Sequence, residues 1–391
     1  MTVLAAVLTI VSAMVVLVWT SRHLMIQRQK SADMLTPDSP GPSGDVPLVS
    51  VLVAAKDEAE NIETCLRTLL AQDYPNFEII AVNDRSDDAT GEIIDRLAAE
   101  DERLRAIHIE ELPEGWCGKN NAMAQAVASA RADWLCMTDA DCRYASGHTL
   151  SAAVRYAHDK QADLLSILPK LEMHGFWERV IQPVCSGVMM IWFHPEKVNN
   201  PDKPNAYANG AFMLMRRDAY DTVGGHASVR GQVNEDMHLA ERVKRQGLHL
   251  RVVTSKDLYS VRMYETLGAI LRGWSRIFFG TFGTLKRLTL SLVVMLVMGL
   301  LPYAAAVLGF AAAGAGWQPA WLWWACGAAG ATAAVVQISV IFRYYRLLEG
   351  SPTLAWTYPI ACGIVSGILL RSLSKLRPGA TVTWRGTSYS S

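Results

Sequence analysis

The chain has 391 residues, of which 51% are hydrophobic and 19% charged, and its 37 Lys and Arg residues balance 37 Asp and Glu residues. This balance, without a basic stripe interleaved with aromatic residues, predicts no nucleic-acid partner. The seven cysteines show no paired spacing, which argues against a structural zinc site or a redox pair.

The first apolar segment covers residues 1–21, and no charged side chain occurs between Thr2 and Ser21. It is long enough to cross a bilayer and lacks the basic start and cleavage site of a signal peptide. Four basic residues follow at once, namely Arg22, His23, Arg28 and Lys30. Because such residues favour the cytoplasmic side, we expect residues 22–47, a basic stretch and a Ser/Pro/Gly-rich linker, to lie in the cytoplasm.

Residues 48–260 are expected to form a cytoplasmic domain in which apolar strand-like runs alternate with helical ones. Such alternation is typical of an α/β fold with a parallel sheet. The predicted strands are 49–55, 77–82, a run that ends at Asp139, and 163–168; the predicted helices include 58–71, 119–130, 176–193 and 233–246. No Gly-x-Gly-x-x-Gly follows the first strand, so a dinucleotide-binding function loses its main support.

Carboxylates stand at the ends of two predicted strands. Asp84 follows 77–82, and Asp139 and Asp141 close the later run. The carboxyl ends of parallel strands face the ligand crevice, so these side chains can reach a ligand. Two hard oxygen ligands at this place suit Mg²⁺ or Mn²⁺, which take further ligands from substrate phosphates. A solvated turn is the alternative for Asp139 and Asp141, since Asp is a common turn residue.

Charged residues also begin two predicted helices. Lys119 adds a positive charge to a helix N-terminus that already attracts phosphate, and a solvated helix residue is the alternative. Glu235 and Asp236 begin a later helix, where the helix dipole alone is a sufficient structural reason for two acids.

Residues 261–287 form a basic amphipathic segment rich in Trp and Phe. Arg272 and Arg276 are four residues apart, with Trp274 between them, so a helix places both arginines on one face. Two interpretations stay open: the arginines clamp a diphosphate, or the helix lies on the membrane surface and binds anionic headgroups.

Residues 288–372 are expected to form a C-terminal transmembrane region, followed by a tail at 373–391. The stretch 288–342 carries no charge and is interrupted at 314–319, which predicts a hairpin of two transmembrane helices. The last apolar run, 351–370, has basic residues on both sides, so either a spanning or a re-entrant or interfacial segment is consistent with the sequence.

Three segments taken together resemble family 2 glycosyltransferases with the GT-A fold. They are Ala-Ala-Lys-Asp-Glu-Ala-Glu-Asn at 54–61, Asn-Asp-Arg-Ser-Asp-Asp-Ala-Thr at 83–90, and the Asp139/Asp141 pair. The resemblance implies a Rossmann-like nucleotide-diphospho-sugar transferase domain between N-terminal and C-terminal transmembrane helices.

The same resemblance implies roles for individual residues. Asp84 and Asp57 contact the nucleoside, while Asp139 and Asp141 hold the donor diphosphate through Mg²⁺ or Mn²⁺. Of this pair, Asp141 is expected to bind the metal directly and Asp139 to reach the ribose or sugar. Asp236 is the expected catalytic base, with Glu235 as its orienting neighbour, and the reaction inverts the anomeric carbon.

Two further segments resemble membrane glycosyltransferases that act on hopanoids, carotenoids and ceramides. These are Gly-Trp-Cys-Gly-Lys at 115–119 and the tail motif at 382–389. In that subgroup Lys119 would contact the donor phosphate or the acceptor side, and Arg272, Trp274 and Arg276 would contact the diphosphate and acceptor. The expected protein transfers a sugar, with a UDP-hexose as the preferred donor, to a lipid at the inner cell membrane.

The arginine segment departs from the family pattern, in which Gln/Arg-x-x-Arg-Trp is common, and this puts processive polymer synthesis in doubt. Alternatives of the same fold are a polyprenyl-phosphate sugar transferase and a polysaccharide synthase. A sugar nucleotidyltransferase would need a Gly-rich N-terminal loop. A noncatalytic membrane scaffold or transporter is the alternative of another class, and the ordered carboxylates Asp84, Asp139, Asp141 and Asp236 count against it.

Overall fold

The structure is a computed structural model that describes residues 1–28, 34–44, 46–348, 350–377, 381–384 and 387–390. Its strands are β1 (Met34–Leu35), β2 (Val49–Ala55), β3 (Phe77–Asp84), β4 (Leu104–Ile109), β5 (Trp134–Asp139), β6 (Cys142–Tyr144), β7 (Leu164–Leu168), β8 (Lys170–Leu171), β9 (Met213–Arg216), β10 (Leu250–Ser255), β11 (Tyr259–Val261), β12 (Thr381–Trp384) and β13 (Thr387–Ser390).

The α-helices are α1 (Thr2–Arg28), α2 (Ile62–Leu70), α3 (Thr90–Glu100), α4 (Gly118–Ser129), α5 (Thr149–Asp159), α6 (Phe176–Trp192), α7 (Pro195–Val198), α8 (Arg217–Thr222), α9 (Glu235–Arg245), α10 (Leu267–Phe282), α11 (Leu285–Val294), α12 (Leu301–Gly314), α13 (Ala320–Leu347) and α14 (Tyr358–Ser374). Short 3₁₀-helices cover His226–Val229 and Pro352–Thr357, and a π-helical segment covers Met295–Leu300.

A mixed sheet forms the centre of the domain, with the strand order β1-β10-β7-β9-β5-β2-β3-β4. Neighbouring strands are parallel, except that β9 runs antiparallel to both β5 and β7. Apolar side chains on the two faces pack into two separate cores, as expected when helices cover both sides of a parallel sheet. The predicted α/β class with a large parallel sheet is confirmed.

The register of β2 explains why the strand-end carboxylates meet. Ala54 of β2 pairs with Asp139 of β5, and Ala55 pairs with Asn83 of β3. Asp139 and Asp84 therefore flank the same strand end from opposite sides. Short apolar runs that end in Asp have placed two acids at one edge of the sheet, where open α/β folds bind ligands.

Several predicted boundaries differ from the structure. The segment predicted as a linker contains β1, which pairs in parallel with β10, and Leu35 of this strand is buried. Two residues are too few for a periodic signal, so only the sheet edge reveals the strand. The helix predicted to start at residue 58 begins at Ile62, because the preceding residues form a loop that packs against the loop after β3.

Among the described residues, four helices are long and apolar enough to cross a membrane: Thr2–Leu24, Leu285–Gly314, Ala320–Leu347 and Pro352–Ser374. The first three pack on one another through α1, α12 and α13, whereas α14 packs on the domain helices α6 and α10 and also on α11 and Met295–Leu300 of the second candidate span.

The C-terminal tail motif is only partly described. Its backbone forms the hairpin of β12 and β13, in which Thr383 pairs with Ser388. Arg385 and Gly386, on which the resemblance of the tail depends, lie outside the described residues. The same holds for Lys30, which follows the first apolar segment.

Candidate active site

A large cavity of about 1510 Å³ opens at the carboxyl edge of the sheet. One end is lined by the ends of β2, β3 and β5 and by the starts of α4 and α9. The other end is lined by apolar residues of α1, of the Leu285–Gly314 span and of α13. The cavity thus joins the cluster of acids to the membrane helices.

Asp84 lies buried at the end of β3, in the wall of this cavity. Arg85, in the left-handed region with φ 53°, folds back and donates two hydrogen bonds to the carboxylate, at 2.8 and 3.1 Å. Gly118 packs so closely against this carboxylate that a Cβ there would overlap it. The start of α4 and the Asp84–Arg85 pair therefore form one continuous wall.

Asp57 supports the neighbouring loops. Its backbone N–H donates to Ser86 Oγ at 3.0 Å, and its carboxylate accepts from the N–H of Asp87 at 2.9 Å. Of the described residues, Lys56 and Glu58 line the cavity, while Asp57 between them does not. The structure thus places Asp57 where it holds together the loops after β2 and β3.

Lys119 connects three elements of the site. Its Nζ lies 2.6 Å from Asp139 Oδ1 and 2.7 Å from Glu235 Oε1, so it joins the start of α4 to β5 and α9. Burial alone would lower the pKa of Lys119, but the charges of Asp139, Glu235 and Asp236 raise it well above its usual value. Lys119 is therefore a fixed cation among acids, and a solvated helix residue is excluded.

Asp236 occupies the first turn of α9 and lines the cavity beside Glu235. The N–H of Gly210 donates to its Oδ2 at 2.9 Å, and the N–H of Met237 donates to its Oδ1 at 2.7 Å. Burial, with the neighbouring charge of Glu235, raises the pKa of Asp236 to about 7. A carboxylate with such a pKa is suited to accept a proton near neutral pH.

Asp139 and Asp141 provide a place that fits a divalent cation. Oδ1 of Asp141 is buried and accepts no hydrogen bond from the described residues. Burial, together with the charges of Asp139 and Glu58, raises the pKa of Asp141 to about 7. These features fit a bound cation, because its positive charge would offset the repulsion between the carboxylates of Asp141, Asp139 and Glu58.

Protein ligands alone would not complete a cation site here. No group of three His, Cys, Asp or Glu side chains within the described ranges is arranged to hold a metal. A Mg²⁺ or Mn²⁺ ion on Asp139 and Asp141 would therefore take its remaining ligands from water and diphosphate, as these ions do in phosphate sites.

The α10 residues separate in the structure. Arg276 lines the cavity and donates to the hydroxyl of Tyr264 at 3.3 Å, and the buried ring of Trp274 also lines it. Arg272 is exposed and lies outside the described lining. The structure brings one of the two predicted arginines to the site, because Tyr264 packs on Gly273 and turns this face of α10 inward.

Sequence reasoning overlooked some residues of the site. Glu58 is buried beside Asp141, and Arg85 pairs with Asp84, although both belong to quoted motifs. Asn120 is fully buried, and its Nδ2 lies within 3.0 Å of the carbonyl oxygens of Val229, Arg230 and Gln232. These bonds fix the loop before α9, but no sequence signal links Asn120 to a loop more than a hundred residues away.

The fold is that of the GT-A class. The structure resembles that of a mannosyltransferase from Pyrobaculum calidifontis, solved with GDP-Man and Mn²⁺, with a TM-score of 0.53 and 21% identity over 93% of this chain and 98% of that one. At this identity the likeness establishes the fold alone.

The sequence comparison identifies one domain of the chain. The family model "Glycosyl transferase family 2" matches residues 50–224, and the chain therefore contains a domain of this family. The match covers β2 to α8 and includes the strand-end acids, but it stops before Glu235 and Asp236. The predicted resemblance and the enzyme class are confirmed.

Curated relatives include two enzymes of lipid metabolism. Beta-monoglucosyldiacylglycerol synthase of Trichormus variabilis is 28% identical over 46% of this chain and 38% of its own length. 4,4'-Diaponeurosporenoate glycosyltransferase of Staphylococcus aureus is 22% identical over 63% of this chain and 65% of its own length. The matched region spans less than two thirds of each relative.

Proposed function

We propose that the protein is a membrane-bound, inverting glycosyltransferase that moves a sugar from a nucleotide-sugar donor, with a UDP-hexose as the expected donor, to a lipid. One observation carries this proposal: a single cavity joins the acids at the sheet edge, including Asp236, to the apolar walls of the membrane helices. The names of the two relatives support a lipid acceptor.

The donor would bind at the β2–β3–β5 side. Asp84, held by Arg85, would face the nucleoside, while Asp139 and Asp141 would hold Mg²⁺ or Mn²⁺ against the diphosphate. The bound ion would neutralise charge that develops on the leaving diphosphate. Lys119 and Arg276 line the same cavity and add positive charge toward that group.

Asp236 would act as the base. The acceptor oxygen forms a bond to the anomeric carbon as the bond to the nucleoside diphosphate breaks on the opposite side, so the configuration inverts. The hydroxyl proton passes to Asp236, whose two carboxylate oxygens are oriented by the N–H groups of Gly210 and Met237. Glu235 is held by Lys119 and positions this helix start rather than taking the proton.

We further propose that the domain lies on the cytoplasmic side of the inner cell membrane. Arg22 lies at the C-terminal end of the first candidate span, and Arg343 and Arg346 lie at the end of the third, in agreement with the positive-inside rule. Labelling of a Gly316→Cys variant in intact cells tests this orientation. A membrane-impermeant thiol reagent should reach residue 316 from outside, and labelling only after permeabilisation would reverse the assignment.

Turnover of the purified protein tests the proposed function. Release of nucleoside diphosphate from UDP-hexoses should require both a divalent cation and an added lipid extract. Release that is indifferent to lipid would contradict a lipid acceptor. A polyprenyl-phosphate transferase would respond only to lipid phosphates, and a polysaccharide synthase would form a water-soluble polymer, so the products separate these alternatives.

A further inference from the structure

We propose that the membrane half of the cavity is a chamber for the apolar chain of the acceptor lipid and that Met298 forms its end wall. This inference rests on the proposed function and deepens it. The substrate class is an amphiphile whose hydroxyl or carboxyl head reaches Asp236 while its chain stays among the membrane helices.

The cavity is larger than a nucleotide-sugar donor alone would fill. Single small-ligand pockets occupy roughly 300–1,000 Å³, whereas this cavity encloses about 1510 Å³. A nucleotide sugar on the acidic side therefore leaves a large remainder, and this remainder lies on the membrane side.

The cavity lining combines polar and apolar residues. Besides Asp236 it includes Met189 and Phe193 of the α6 region and Trp19, Met295 and Met298 of the candidate membrane spans. Methionine side chains adapt to ligand shape, and apolar walls favour a hydrocarbon chain over a second polar ligand. A lipid can keep its chain in this environment while its head group leaves the bilayer.

Hydrogen bonds join three candidate membrane spans at Met298. Pro302 has no N–H, so the carbonyl of Met298, four residues earlier, cannot accept an α-helical hydrogen bond from it. The indole N–H of Trp19 donates to that carbonyl at 3.2 Å, and the amide Nε2 of Gln337 also donates to it. Three membrane helices are thereby joined at one carbonyl next to the chamber.

The neighbouring backbone strengthens this end wall. Met295–Leu300 is π-helical, a geometry that recurs at functional sites in helices. Tyr358 at the start of α14 packs edge-on against Trp19, with ring centroids 6.0 Å apart. Because the junction is fixed from several sides, the side chain of Met298 sets how far a chain can extend.

Chain-length selectivity tests this inference. The purified protein is assayed with UDP-glucose and primary alcohols of graded chain length, in the wild type, Met298→Trp and Met298→Ala. We expect Met298→Trp to shift the preferred acceptor to shorter chains and Met298→Ala to longer ones, with the KM for UDP-glucose unchanged. Each methylene that no longer fits should lower kcat/KM by about fourfold.

Val307→Trp is the matched control, because Val307 lies on α12 with its side chain 72% exposed on the outer face. This variant should keep the wild-type length profile. The same dependence of activity on acceptor chain length in the wild type and in Met298→Trp would contradict the proposed chamber.

Photolabelling of the wild type makes the test independent of variant folding. A primary alcohol with a diazirine at its chain end should label residues 295–300, and added lipid extract should compete. Label found only on exposed helix residues such as Val307 would also contradict the inference. If the wild type glycosylates no alcohol and no native lipid, the proposed function fails, and the label map alone decides the chamber.

Discussion

Replacing Asp236 with Asn removes the proposed base and little else. The amide is nearly isosteric and still accepts one of the two hydrogen bonds from Gly210 and Met237. General-base catalysis contributes roughly 10²–10⁴-fold to a rate, so we expect kcat to fall by about this factor. Nucleotide binding should persist, because the donor groups lie at the ends of β3 and β5.

The stability of this variant separates a catalytic from a structural role. The pKa of Asp236 is raised to about 7, so the folded state disfavours the charged form. Stability is therefore lost as the pH rises from the unfolded value near 3.8 to about 7, by an amount on the order of a few kcal/mol at pH 8. Asn lacks this penalty and loses about one hydrogen bond, worth roughly 1 kcal/mol.

We therefore expect Asp236→Asn to have a Tm at pH 8 equal to or above that of the wild type, while transfer is lost. In the wild type, kcat/KM should rise with pH to a plateau through an apparent pKa near 7, and the residual activity of the variant should lack this limb. Glu241→Gln, on the same helix but away from the cavity, is the control and should keep activity. Unchanged turnover in Asp236→Asn, or loss of activity only through unfolding, would refute the assignment.

Other parts of the site give further predictions. Lys119→Met should lower stability by about 3–5 kcal/mol, because Glu235 is left buried without its cation; denaturant unfolding measures this, and an unchanged midpoint would contradict it. Asp141→Asn should raise the concentration of Mn²⁺ or Mg²⁺ needed for half-maximal activity by tenfold or more, and full activity of the wild type in chelator would rule out the metal. Gly118→Ala should weaken nucleotide binding, measured by calorimetry, because the added methyl group would displace the Asp84 carboxylate. Gly115 is exposed and has a positive φ, and Gly115→Ala should leave nucleotide binding unchanged.

Strands and strand-end residues could be predicted from the sequence where the local pattern and the sheet topology agree. Val49–Ala55 is a strand over the predicted residues, and Asp139 ends its strand as expected. Parallel pairing then brings Asp84 and Asp139 to one edge, so the acids of the site could be predicted without coordinates. The candidate membrane spans were equally visible in the sequence, because they are long apolar runs with few or no charges.

Contacts between distant segments could not be predicted. Whether Lys119 meets phosphate or carboxylate depends on where α4 and α9 meet, and its pairing with Asp139 and Glu235 needs the folded chain. Equal spacing on one helix face did not decide between Arg272 and Arg276, because the packing of Tyr264 on Gly273 sets the rotation of α10. The position of α14 against the domain likewise depends on tertiary packing.

The most direct test of lipid glycosylation follows the sugar itself. The purified protein is incubated with isotope-labelled UDP-glucose, Mg²⁺ and a total lipid extract from its host, and the lipid fraction is analysed by mass spectrometry. We predict a labelled glycolipid that carries the transferred hexose, formed by the wild type and absent with Asp236→Asn. Label found only in free sugar or in a water-soluble polymer, with other nucleotide sugars giving the same result, would contradict it.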